Sequence, residues 1–298
     1  MKYLVTGSAG FIGQALVKKL LINKQNKVYA IDRNFLNLKS KNLIKIRKDI
    51  KSIKKFPKVD IVFHLAAFNG TKYFYSKPLD VIDDNVSTTL SLVKFYKTKK
   101  LKKFISAGSS EIYAGEQNLN NKKIPHNENN PIIFKDLTNP RWSYSSSKFM
   151  SELIVINSGL PYIILRYFNV YGSKQKDHFI PEFISRIKRK KYELYGYKNT
   201  RAFIYIDDAV NATIKISKKN VTNQTFNLGS DKEEKIINVA KLIMKVLKIK
   251  NRKIKLFNAP KGSVMKRKPD ISKLKKVIGN FKTIKLAEGI KKIINKNK

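Results

Sequence analysis

Short apolar runs alternate with amphipathic segments through the first half of the chain. Strand-like runs cover Tyr3–Thr6, Val28–Asp32, Leu43–Ile46, Ile61–Leu65, Lys103–Ala107 and Tyr162–Tyr167. Helix-like segments with one apolar face cover Phe11–Leu21, Val81–Tyr96 and Ser143–Asn157. Strands that alternate with helices form βαβ units, and these build a parallel sheet. The run Ile61-Val62-Phe63-His64-Leu65 is almost wholly apolar, which suits a sheet covered on both faces. After Phe168 the pattern changes. Helix-like Pro181–Lys190 is followed by strand-like Arg201–Ile206, helix-like Asp207–Ser217, strand-like Thr225–Leu228 and helix-like Lys235–Leu247 and Leu286–Asn295. The expected fold is α/β: a Rossmann-type doubly wound parallel sheet over residues 1–167, with a smaller C-terminal α/β part over 168–298. That boundary is approximate, and chain segments are free to cross back over it.

The turn between the first strand and the first helix reads Gly7-Ser8-Ala9-Gly10-Phe11-Ile12-Gly13. Glycines there permit a tight turn, close approach of backbone to a pyrophosphate and close helix–strand packing. The helix N-terminus then offers unpaired N–H groups to the phosphates. Asp32 closes the second strand 19 residues after Gly13, where a carboxylate can hold the ribose hydroxyls of an adenosine. A carboxylate at that point repels a 2′-phosphate, so the expected cofactor is NAD rather than NADP. Arg33, the next residue, is the one feature that points the other way.

Tyr144 and Lys148 stand at i and i+4, on one face of the third helix. An ammonium beside a phenol favours phenolate, which makes Tyr144 a candidate base for an alcohol proton. Ser109, Ser110 and Glu111 follow the strand that starts at Lys103, and ligands of open α/β sheets bind at the C-terminal ends of strands. A serine hydroxyl there can hydrogen-bond a substrate oxygen.

With these residues in place, the chain resembles the extended short-chain dehydrogenase/reductases that act on nucleotide sugars, the NAD-dependent epimerase/dehydratase family. The resemblance spans nearly the whole sequence. Its implied cofactor contacts are Gly7, Gly10, Phe11, Ile12 and Gly13, then Asp32, Asp49 and Ile50, Leu65-Ala66-Ala67, Asn85, and the pair Tyr144 and Lys148. Its implied catalytic set is Ser109, Tyr144 and Lys148, with Glu111 as the residue that separates reactions. Its implied substrate contacts are Ser110, Asn169 within 166–172, and Arg201 and Arg267, whose guanidinium forks suit a diphosphate. No metal is expected. Ala114 stands where the family usually carries Gly after Tyr113.

The resemblance implies a nucleoside-diphosphate sugar oxidised at C4 to a transient 4-ketosugar, and C4 epimerisation is the preferred outcome. Glu111, two residues before Tyr113, and the stretch 139–144 Asn-Pro-Arg-Trp-Ser-Tyr resemble the dehydratase and uronate decarboxylase branches instead. The 4,6-dehydratase, UDP-uronate decarboxylase and 4-ketosugar reductase readings therefore stay open. A non-catalytic dinucleotide-sensing protein is the remote alternative. The family also implies a homodimer formed through the helices at Val81–Tyr96 and Ser143–Asn157.

Composition changes little. The 298 residues carry 63 Lys and Arg against 21 Asp and Glu, a net charge of +42. These cations are spread over every helix rather than gathered beside aromatic platforms, so nucleic acid is not the expected partner. The absence of cysteine excludes disulfides, thiol catalysis and the usual zinc sites. No run approaches the roughly 18 apolar residues that cross a bilayer. The chain enters its first strand at once, so no membrane insertion, no signal peptide and a cytoplasmic location are expected.

Overall fold

A computed structural model describes residues 1–116, 125–135, 137–175, 177–259 and 263–296. Its largest sheet has seven strands. Its elements are β1 (Lys2–Thr6), α1 (Phe11–Leu20), β2 (Lys27–Asp32), β3 (Leu43–Arg47), β4 (Ile61–His64), α2 (Thr71–Ser76), α3 (Pro78–Tyr96), β5 (Lys103–Ser109), α4 (Trp142–Ile156) and β6 (Tyr162–Tyr167). The later elements are β7 (Val170–Tyr171), α5 (Phe179–Lys188), β8 (Glu193–Tyr195), β9 (Thr200–Ala202), β10 (Ile204–Tyr205), α6 (Ile206–Ser217) and β11 (Gln224–Leu228). The chain ends with β12 (Glu233–Lys235), α7 (Ile236–Val246), β13 (Lys255–Phe257), α8 (Ser272–Ile278) and α9 (Leu286–Lys296).

The strand order is β11-β6-β5-β4-β1-β2-β3, and β1 to β6 pair in parallel. The order reverses between β1 and β4, the switch point at which doubly wound sheets bind ligands. This is the expected Rossmann-type architecture. The sheet is apolar because its strands are buried: Leu4, Val5, Val28, Val62, Phe63, Phe104 and Ile163 to Leu165 are all inaccessible. One core cluster joins Leu4, Ile31, Val62, Phe104 and Ile164 to Leu92, Tyr96 and Val155 of α3 and α4.

The chain divides into two compact units. The first holds Met1–Gly115, Ile132–Tyr167 and Val210–Phe226; the second holds Glu116–Pro131, Phe168–Ala209 and Asn227–Lys298. In the first unit, Lys103 Nζ donates to the Ser217 carbonyl at 3.0 Å and also to the Lys219 carbonyl, satisfying groups that the end of α6 leaves open. In the second, Arg201–Ile206 is not the single strand its sequence suggests. Ala202 ends a strand antiparallel to β12, and Ile204 starts one parallel to β7. Phe203 breaks the run and packs edge-on against Tyr171 at 6.1 Å. Among the described residues no helix is long and apolar enough to cross a membrane.

Candidate active site

The loop between β1 and α1 is a backbone cradle that requires glycine. Gly7 has φ +67, and a Cβ there would lie 2.6 Å from the Ala66 amide nitrogen. A Cβ on Gly13 would run into the Gly7 carbonyl, and one on Gly10 would sit 3.1 Å from the same oxygen. Gly10 opens α1 with no side-chain cap, which leaves the amides of Phe11 and Ile12 to a ligand. Ser8 Oγ is buried with no hydrogen-bond partner among the described residues. Asp32 braces the loop by accepting from the Ala9 amide at 2.8 Å through one oxygen and from Asn34 at 2.8 Å through the other. A narrow cradle, a helix start without a cap and a carboxylate at the end of β2 fit the diphosphate and ribose of NAD.

Of the other expected cofactor residues, Leu65 and Ala66 lie against Gly7. Leu65, Ala66 and Ala67 leave β4 half-buried. Asp49 accepts from the Lys51 amide at 2.9 Å and caps the short turn Ile50–Ser52, while Ile50 enters the core. Asn85 lies buried on α3. Its Oδ1 accepts from the Phe68 amide at 2.7 Å, and its Nδ2 donates to Ser147 Oγ at 3.0 Å. It therefore ties the segment after β4 to α4.

His64 belongs to a parallel buried chain of hydrogen bonds. Thr89 Oγ1 donates to the Asn85 carbonyl at 2.7 Å, so it accepts from His64 Nε2 at 3.0 Å. Thr6 Oγ1 accepts from the Ala66 amide at 3.3 Å and donates to His64 Nδ1 at 2.8 Å. The ring is therefore neutral and protonated on Nε2. Burial, reinforced by the charge of Lys148, pushes its pKa down to about 3.

Tyr144 and Lys148 lie buried on the same face of α4, and the Tyr144 ring stacks on Phe74 at 4.6 Å and 13°. Burial pulls the Lys148 ammonium down to about 8, while the charge of Glu152 acts in the opposite sense. Glu152 in turn accepts from Arg166 Nε at 3.1 Å and Nη2 at 2.8 Å. Arg166 Nη1 reaches the Tyr113 hydroxyl at 2.6 Å, and the guanidinium sits 5.1 Å from the centre of that ring. Tyr144, Lys148 and Glu152 form an i, i+4, i+8 stripe, so Glu152 was visible in the spacing; nothing in the sequence marks Arg166 as its partner.

Ser109 and Ser110 are buried at the end of β5. Ser109 Oγ accepts from the Glu111 amide at 3.2 Å, which fixes the oxygen and leaves its proton to donate. Glu111 Oε2 accepts from Arg141 Nη2 at 2.8 Å, with both side chains largely buried. Arg141 had only its place in the 139–144 stretch to single it out.

In the second unit, the expected substrate residues gather around β9. Asn169 adopts φ 34, and its Nδ2 donates to the Ala202 carbonyl at 3.1 Å. Arg201 Nη1 donates to the Thr200 carbonyl at 2.7 Å and the Met265 carbonyl at 3.3 Å. Arg267 is buried, and its carbonyl accepts from the Ala202 amide at 3.1 Å.

Comparison with known proteins finds relatives along nearly the whole chain. The chain is 31% identical to a UDP-N-acetyl-alpha-D-glucosaminuronate decarboxylase of Bacillus cytotoxicus, over 98% of this chain and 96% of that protein. It is also 31% identical to a UDP-glucuronate 4-epimerase of Thermodesulfobacterium geofontis, over 99% and 96%. Its fold matches the crystal structure of the UDP-glucuronic acid 4-epimerase of Bacillus cereus in complex with UDP-glucuronic acid and NAD, with a TM-score of 0.86, 27% identity and coverage of 99% and 98%. Residues 3–229 match the model of the NAD dependent epimerase/dehydratase family, and the chain belongs to that family.

Proposed function

We propose that the chain epimerises a nucleoside-diphosphate sugar at C4 through a transient 4-ketosugar. The observation that carries this choice over dehydration is the Glu111–Arg141 ion pair. The Glu111 Oε2 is committed to the Arg141 guanidinium at 2.8 Å, which fixes this carboxylate as an anchor of its loop rather than as a base for a C5 proton in a dehydration. The remaining machinery acts at C4 alone. Tyr144, as phenolate, takes the proton of the 4-hydroxyl. The Lys148 ammonium stabilises that phenolate, and Ser109 donates to the sugar O4. Bound NAD supplies a reversible hydride acceptor. Tyr144 then returns the proton to the alcohol of the inverted centre. In this reading Asn169, Arg201 and Arg267 grip the nucleotide and its diphosphate.

The sugar we propose is a hexuronate. The relatives and the solved neighbour above are named for UDP-glucuronate and UDP-N-acetylglucosaminuronate, which supports that class. Decarboxylation is the second reading. It is favoured by the decarboxylase relative and by the joint presence of Glu111 and Arg141. We further propose a cytoplasmic location and a homodimer; the dimer is supported by Leu79 and Ile82 of α3 and Met150 and Ile156 of α4, apolar residues left exposed on the two helices.

The test incubates the protein with NAD and UDP-glucuronate, UDP-N-acetylglucosaminuronate or UDP-glucose, and identifies products by NMR and mass. A product of unchanged mass inverted at C4 is expected. A pentose product with release of CO2 selects the second reading, and loss of water overturns both.

A further inference from the structure

The sequence leaves a conflict between Asp32, which repels a 2′-phosphate, and Arg33, which could attract one. The structure gives the Arg33 guanidinium two carboxylate partners. Arg33 Nη2 is ion-paired with Asp49 Oδ2 at 3.0 Å and with Asp84 Oδ1 at still closer range. Asp84 is buried on α3, and its backbone carbonyl accepts from Thr88 Oγ1 at 2.6 Å. The same carboxylate oxygen lies 3.5 Å from Lys51 Nζ, which also pairs with Asp83 at 2.8 Å. Two anchored carboxylates on one guanidinium nitrogen set its position far more firmly than one exposed pair would.

We infer that Asp84, with Asp49, is a specificity-determining residue that tethers Arg33 and so keeps the adenosine site selective for NAD over NADP. Asp32 supplies repulsion of the phosphate, and Asp84 removes the neighbouring cation that would offset it. Specificity of this kind needs the wrong partner to be disfavoured, not only the right one to be bound. For Arg33 to bring Nη2 to a 2′-phosphate beside Asp32, that nitrogen would have to leave both carboxylates, one buried and one half-buried. The inference concerns dinucleotide binding alone and stands whichever sugar reaction the chain performs.

The test measures dissociation constants of NAD and NADP by calorimetry on the full chain, without sugar substrate. Asp84→Asn keeps the shape and removes the charge. It should strengthen NADP relative to NAD by about tenfold, the scale of one charge-assisted contact. Adding Arg33→Ala to that variant should abolish the gain, since the gain belongs to the released guanidinium. Arg33→Ala in the otherwise unchanged chain should leave the ratio within about twofold, because a tethered Arg33 contributes nothing to NADP. That variant removes an exposed side chain and keeps the inference testable even if Asp84→Asn folds poorly. Three results would overturn it: an unchanged ratio in a folded Asp84→Asn, a gain that persists without Arg33, or a large loss of NADP affinity on Arg33→Ala alone.

Discussion

The Arg141 guanidinium donates to the Glu111 carboxylate at 2.8 Å, joining the turn after β5 to the residues that open α4. Glu111 is thereby anchored at the mouth of the turn by a cation. In an epimerase it orders the loop behind Ser109, so Glu111→Gln should lower kcat by less than about tenfold. The product formed in D2O should carry no deuterium at C5. If Glu111 is instead the base of a dehydration, its loss costs roughly 10²–10⁴ in rate and C5 exchanges. Steady-state kinetics and proton NMR of the product decide between the two.

Tyr144→Phe removes the hydroxyl and keeps the ring that stacks on Phe74. The variant should fold with an unchanged melting temperature and bind NAD within about twofold of the parent. Turnover should fall by at least the roughly 10²–10⁴ that a positioned base contributes. Near-normal turnover would mean that another group takes the proton.

Much of this site was legible because its signals are local. The glycine loop sits within seven consecutive residues, and Tyr144 and Lys148 are four apart on a helix whose apolar spacing is plain. Strand β6 was bounded correctly, since a buried strand reads as a continuous apolar run. The ion pairs were hidden because their members are distant: Glu111 and Arg141 lie 30 residues apart, and Arg33 and Asp84 51. Their pairing follows from strand order, which periodicity does not specify. The split at Phe203 was equally invisible, since Ala202 and Ile204 find different partner strands only in the folded chain. Helices α2 and α8, of six and seven residues, are too short for a helical period to register.

His64 should make the fold acid-sensitive. Unfolded, it takes a proton near pH 6.5. Folded, it resists until about pH 3. Within that window unfolding binds one more proton, so stability rises with pH and is lost as pH falls from about 6.5 toward 3. The slope from this one residue approaches about 1.4 kcal/mol per pH unit. Urea unfolding between pH 7 and 4 should show a shallower dependence in His64→Gln than in the parent. Equal slopes would mean that the imidazole is protonated in the folded protein.

The Glu152 carboxylate serves two cations, and its removal should be felt by both. It accepts hydrogen bonds from both Nε and Nη2 of Arg166 in a site where both side chains are buried. Taking away one member of a buried pair strands the other, at a cost of about 3–5 kcal/mol. Glu152→Ala should therefore lower the melting temperature by many degrees. Glu152→Gln keeps an acceptor and should cost less. Glu152 also raises the pKa of Lys148 against the larger effect of burial. Without that charge, Lys148 should lose its proton below the present value of about 8. If its ammonium sustains the Tyr144 phenolate, the alkaline limb of kcat in Glu152→Gln moves to lower pH. A destabilised variant with an unmoved alkaline limb would confine Glu152 to holding Arg166 and remove it from the electrostatics of the base.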